Sequence, residues 1–193
     1  MMSDIVKKAK DLAYKQYLKN KAPAWYLTEI AVSKGVELSA KYKVDKNLVA
    51  ASLYLAHVVF DPVRGSDTQK NHEKLSADFA KKYLDKWRIS ANKQDIILNS
   101  IESHHNKVRC GSLTAEVVKN AECFKFLSVE GCMIFMHTLG DRKTSMKDSF
   151  EYLLYKINQK YSYLTLDECK KEADKNISRI HKFLTYYSKT LHF

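Results

Sequence analysis

Four of the chain's seven histidines, His57, His72 and the adjacent pair His104-His105, fall in order before Glu122, which lies in Asn-Ala-Glu-Cys. Imidazole and carboxylate are the side chains that hold divalent transition metals, and residues this far apart share an ion only if separate helices converge. An ion held in that way polarises a phosphoryl oxygen and acidifies water, so the chemistry indicated is metal-assisted hydrolysis. His137, His181 and His192 lie outside the series and read as structural or exposed.

Each histidine also has a plainer reading. On a core-facing stripe an imidazole is more often a hydrogen-bonded core residue than a ligand, and it is the four together that favour a site. His57 falls within the apolar run Leu48 to Phe60, where an unpaired ring would cost roughly 1 to 3 kcal/mol. Asp61, one turn later, is the expected partner, whether as ligand, orienting group or helix-end hydrogen bond. His72 follows the polar loop Arg64-Gly65-Ser66-Asp67 and is expected to open a helix, a place where phosphate also docks. His104 is in phase with Ile97 and Ile101 on a core face, and His105 projects about 100° away. One of that pair is therefore expected on the metal and the other on a substrate oxygen. Glu122 falls at the edge of a buried face and needs a partner.

The elements that must position these residues are helices. Five glycines and two prolines in 193 residues are too few to punctuate an all-β chain, so the expectation is one all-α domain over 1–193. Tyr14, Tyr17 and Leu18 recur at helical spacing before Pro23, and a second helix spans about Trp25 to Tyr42 with Gly35 at a close-packing position. Asp45 caps a helix from Leu48 to Phe60 that is apolar nearly all round and should be central. Leu75, Phe79 and Tyr83 mark the helix after His72. Ser90 caps the next, and Gly111 precedes one from about Leu113 to Leu127. Ser145-Met-Lys-Asp148 and Thr165-Leu-Asp-Glu168 read as two further helix starts.

Lysine and arginine total 33 against 22 acidic residues, a formal charge of +11 that attracts phosphate-rich partners by long-range field. The cations are scattered among acids, as on a solvated helical face. The four cysteines, without Cys-x-x-Cys spacing, read as reduced. With no apolar run long enough to span a bilayer and no leader-like start, the expectation is a soluble, cytoplasmic protein with no membrane partner.

Taken in order, His57 at the end of an apolar helix, His-x-x-x-Ser-Ala at His72 to Ala77, Ile-x-x-x-Ile-x-x-His at Ile97 to His104 and Ala121-Glu122 resemble the HD-domain superfamily of helical metal-dependent phosphohydrolases. The resemblance runs from about residue 25 to 127, with the later helices as an extension over 128–193. The family's adjacent His-Asp doublet is not matched: Ala56-His57 or His57-Val58 stands there. Trp25-Tyr26-Leu27 stands where a first ligand histidine usually begins a helix, and the late aspartate is Glu122.

The resemblance implies a divalent transition metal on His57, His72, His104 and Glu122, with iron, manganese, nickel, cobalt and zinc equally suited. Catalytic roles fall to His105 and Asp61, and Lys70, Lys74 and Arg64 would neutralise phosphate charge. The substrate implied is a nucleotide or other phosphorylated small molecule. The alternative is a non-catalytic HD-like module, its metal lost, that binds a ligand or nucleic acid by salt-sensitive contacts.

Overall fold

A computed structural model of the chain describes residues 3–61, 63 and 65–191, apart from the side chains of Ser188 and Leu191. The described residues form helices and connecting turns, with no strand among them. The helices are α1 (Asp4–Asn20), α2 (Trp25–Tyr42), α3 (Lys46–Leu55), α4 (Asp67–Lys86), α5 (Ala91–Ser103), α6 (Leu113–Leu127), α7 (Val129–Asp141), α8 (Met146–Tyr161) and α9 (Asp167–Leu191).

Two helices are buried nearly all round and form the axis of the bundle. α3 is buried at every position from Leu48 to Leu55, and α6 packs against α2, α3, α5, α7, α8 and α9. Gly35 lets α2 approach α3: a methyl group at its Cβ position would meet Val49 Cγ1 at 2.8 Å. Exposed helices need a polar face, but α3 is enclosed, which is why its sequence lacks one, whereas the polar residues of α6 are buried with it.

The helix starts follow side-chain chemistry. Asp45 accepts from Asn47 N, Ser66 from Gln69 N, Ser112 from Ala115 N and Ser128 from Gly131 N. Ser145 accepts from Asp148 N at 3.1 Å while donating to the Asp148 carboxylate at 2.6 Å, as its spacing predicts. Ser90 occupies the N-cap position of α5 without a capping bond from its side chain. Thr165 does not form the expected reciprocal box. Its hydroxyl accepts from Asn120 Nδ2 at 2.8 Å, and Asn120 Oδ1 accepts from the amides of Thr165 and Leu166, so α6 pins the start of α9.

Two boundaries differ from expectation and both matter for the site. The third helix stops at Leu55, not Phe60, because the following backbone is held from outside: Ser76 Oγ on α4 accepts from Val59 N at 3.1 Å and donates to Val59 O at 3.2 Å. His57 therefore sits in a tight turn and not inside a helix. α4 begins at Asp67, capped by Ser66, so His72 lies more than a turn inside it and not at its N-terminus. All four cysteines are free thiols. No helix among the described residues is long and apolar enough to cross a membrane.

Candidate metal centre

The turn after α3, the first half of α4 and the end of α5 bring His57, His72, His104 and His105 into one cluster, with Glu122 from the middle of α6 against His57. Each offers a ligand nitrogen, and these nitrogens all lie within 4.8 Å of one another. Nitrogens sharing one ion at about 2.1 Å are at most about 4.2 Å apart, so small side-chain adjustments bring the set into range.

Both members of the adjacent pair join this cluster because α5 ends between them and the rest of the helix. Ser103 is the last helical residue, His104 takes the C-cap position, and Asn106 adopts φ 66° with its amide donating to Ser103 O at 3.1 Å. The helix ends there, and both rings face the cluster. The two rings lie 4.1 Å apart between centroids.

Every ring has one nitrogen committed to an acceptor. His72 Nδ1 donates to Gln69 O at 2.7 Å and His104 Nδ1 to Ile101 O at 2.5 Å. His105 Nδ1 donates to Glu73 Oε1 at 3.1 Å and His57 Nε2 to Glu122 Oε1 at 2.9 Å. Carbonyl and carboxylate oxygens cannot donate in return, so the remaining nitrogens, His57 Nδ1 and the Nε2 atoms of His72, His104 and His105, carry lone pairs. Of these, His57 Nδ1 and His105 Nε2 are buried without a hydrogen-bond partner. His72 Nε2 and His104 Nε2 face each other at 3.3 Å, lone pair to lone pair, a contact that a shared cation relieves. Committing one ring nitrogen to an oxygen and leaving the other bare is how proteins present histidine to metals.

Burial keeps the cluster neutral. It pushes the His57 pKa down to about 3, with the Lys125 charge adding to the effect, and holds His104 and His105 well below the usual histidine range. His72 is lowered by the same desolvation, partly offset by Glu73. Neutral imidazole is the ligand form, so burial prepares these rings to bind a cation.

The two buried carboxylates support the rings instead of joining them. Glu122 is 1% exposed. Burial works against its charge, yet Lys125 and His57 outweigh that and hold its carboxyl well below the usual range. Lys125 Nζ lies 2.8 Å from Glu122 Oε2, an ion pair whose angle falls short of a hydrogen bond. Glu122, expected as a ligand, thus orients His57, and His105 stands in the imidazole set. Glu73 likewise carries His105 and receives Lys107 at 3.1 Å, while Lys107 also donates to Lys70 O.

The expected partner of His57, Asp61, instead accepts from Val63 N at 2.8 Å within its own loop. Lys70 stands at the cavity mouth, whereas Lys74 points away and pairs with Asp78 at 2.9 Å. Arg64 lies outside the described residues. His137 is exposed, 3.7 Å from Asp141, as a surface residue would be.

A cavity of about 300 Å³ opens on the cluster. Its inner wall carries His57, His72, His105 and Glu122, and its outer wall comes from the later helices, with Phe135, Arg142, Tyr152, Lys160 and Tyr163. Sequence reasoning missed Glu73, Lys107, Lys125 and Lys160. The last two carried a signal: Leu153, Ile157 and Lys160, like Val118, Ala121 and Lys125, keep the apolar-face register of their helices, and both lysines are 2% exposed.

The fold is shared with proteins of known structure. Over 96% of both chains it superposes on Bacillus subtilis YpgQ, solved in complex with ADP, at 14% identity and a TM-score of 0.71. An HD-superfamily hydrolase from Bacillus thuringiensis matches over 100% of this chain and 99% of that one at 13% identity and a TM-score of 0.71. A Lactobacillus plantarum protein matches over the same shares at 13% identity and a TM-score of 0.73. No family model matches the sequence, and no curated protein does. The chain therefore has the HD-domain fold, with a histidine cluster consistent with a divalent metal.

Proposed function

We propose that this protein is a metal-dependent phosphohydrolase acting on a nucleotide or other phosphorylated small molecule. The observation that carries the reading is the set of four neutral imidazoles, two of them buried, each with one nitrogen committed to an oxygen and with ligand nitrogens within 4.8 Å of one another. His57, His72, His104 and His105 would hold the ion. Bound there, a divalent transition metal supplies Lewis acidity towards a phosphoryl oxygen and acidifies water. Glu122 fixes the tautomer of His57, and Glu73 that of His105. Phe60 packs edge-on to His57 and His72, at 5.5 and 5.3 Å between centroids, and shields them from water. At the cavity mouth Lys70 and Lys107 meet phosphate charge. The ADP complex of YpgQ, a protein of the same fold, supports a nucleotide as the ligand class.

One observation favours a second reading, a ligand-binding module without turnover. Both buried carboxylates are engaged with lysines, which leaves neither free to accept a proton from water. Metal content by elemental analysis of protein purified without a histidine tag, with and without His72→Ala, separates the readings when combined with a screen of nucleoside phosphates. Near-stoichiometric metal lost in the variant, together with hydrolysis, supports the hydrolase. Metal with ligand binding but no turnover moves the conclusion to the binding module. No metal even after incubation with divalent ions overturns the hydrolase.

A further inference from the structure

The residues lining the cavity include two carboxylates, Glu73 and Glu122, against six cations. Each carboxylate is already matched, Glu122 by Lys125 at 2.8 Å and Glu73 by Lys107 at 3.1 Å. The four imidazoles are neutral, so no lining carboxylate remains for Lys160. That residue sits in α8 with its side chain 2% exposed, and its Nζ has no hydrogen-bond partner. What surrounds the ammonium is aromatic: the rings of Tyr163 and Phe126 lie 5.6 and 5.7 Å away. The Tyr163 ring is in turn 6.3 Å from His105, which sets Lys160 beside the histidine cluster.

A buried cation without a counter-ion is strongly unfavourable, and a lysine that follows an apolar stripe could be replaced by methionine without loss of packing. Two such cations in this chain show the usual remedy. Lys34 and Lys125 are both buried and both have a glutamate within 2.8 Å. Lys160 has none, and burial accordingly depresses its pKa, only partly offset by Glu122.

We propose that Lys160 is the anion-binding residue of this cavity, its buried and unpartnered ammonium taking an oxygen of a phosphate-type oxyanion held against the histidine cluster. The proposal rests on the functional reading above for the ligand class but not for the metal. The cluster lacks an anionic ligand, so a divalent ion on four neutral imidazoles would add to the cavity's positive charge, and a dianionic ligand would answer both charges. Lys160 is 2% exposed, and at a buried site an ammonium–oxyanion hydrogen bond is strong.

Calorimetric titration of inorganic phosphate and pyrophosphate into the full-length protein tests this, with and without added Mn²⁺. The variants are Lys160→Met, Lys160→Arg and, outside the cavity, Lys74→Met. The expected result is a loss of affinity of tenfold or more in Lys160→Met, a smaller loss in Lys160→Arg and none in Lys74→Met. Metal content and the circular dichroism spectrum should be unchanged in all three. Equal phosphate affinity in Lys160→Met and the parent protein overturns the proposal, as does absence of phosphate binding to the parent in either condition. Lys160-dependent phosphate binding by a protein that takes up no metal supports this proposal while overturning the hydrolase, so the two fail separately.

Discussion

Lys34 and Lys160 are the same residue type, both buried, in surroundings that differ in one respect. Lys34 Nζ lies 4.6 Å from the centre of the Phe124 ring and reaches Glu172 at 2.6 Å and Glu37 at 2.8 Å. Although burial opposes its charge, those two carboxylates raise its pKa. Lys160 has aromatic neighbours too but no carboxylate, and its pKa is lowered. The first joins α2 to α9 and is complete as it stands; the second is complete only with a ligand. The same contrast separates the bundle axis from the cavity. Among the described residues, six buried side-chain polar atoms lack a hydrogen-bond partner, and all but Ser3 Oγ belong to residues lining the cavity. Native proteins leave few such atoms, and where they gather a ligand is expected.

The sharpest way to break this contrast is to remove a cluster imidazole. His104→Ala should reduce metal content from near-stoichiometric to none, and retention of metal in that variant would show that the cluster is an ordinary polar core.

Acid should act next most strongly on metal-free protein. His57 has a folded pKa of about 3 against an ordinary 6.5, so below pH 6.5 the unfolded chain takes up a proton that the folded one refuses. The contribution is fully present above pH 6.5 and falls as pH drops towards 3, by about tenfold in the folding equilibrium per pH unit for each such histidine. His104 and His105, also lowered, share that direction. Denaturant unfolding at pH 7 and pH 5 measures this, and equal stability at both would contradict buried neutral rings.

Glu122→Ala removes the acceptor that fixes His57 and leaves Lys125 unpaired, and should weaken metal binding roughly 10- to 100-fold without abolishing it. Competition with a chelator reads the change, and an unchanged affinity would deny Glu122 its orienting role.

The two lysines give smaller effects of opposite sign. Lys160→Met replaces an unpaired buried cation by an apolar chain and should leave stability unchanged or raise it by roughly 1 to 4 kcal/mol. Lys34→Met breaks two ion pairs with partly exposed glutamates and should cost roughly 1 to 2 kcal/mol. Matching shifts in thermal midpoint would erase the distinction. Asp61→Asn should have the least effect, since the amide oxygen can still accept from Val63 N; a large loss of metal would restore Asp61 to the site.

Helix content, the enclosed third helix and the candidate residue types at His57, His72, His104 and Glu122 were legible because each depends on local periodicity or residue type. Register does not report which ring nitrogen is free or which side chain answers which. The expected pairing of His57 with Asp61 follows from a continuous helix; a hydroxyl from α4 ends that helix early, and the ring meets Glu122, sixty-five residues away, instead. The separation expected between His104 and His105 likewise assumes a helix that stops at Ser103.

An all-helical chain with metal-type side chains at the ends and inner faces of its helices follows from local order, because the 3.6-residue repeat and the scarcity of glycine and proline are written there. Packing between helices brings His105 into the cluster, sets Glu122 against His57 and leaves Lys160 without a counter-charge. Those outcomes depend on which atoms lie within about 3 Å across different helices, a distance that packing sets and spacing along one chain cannot.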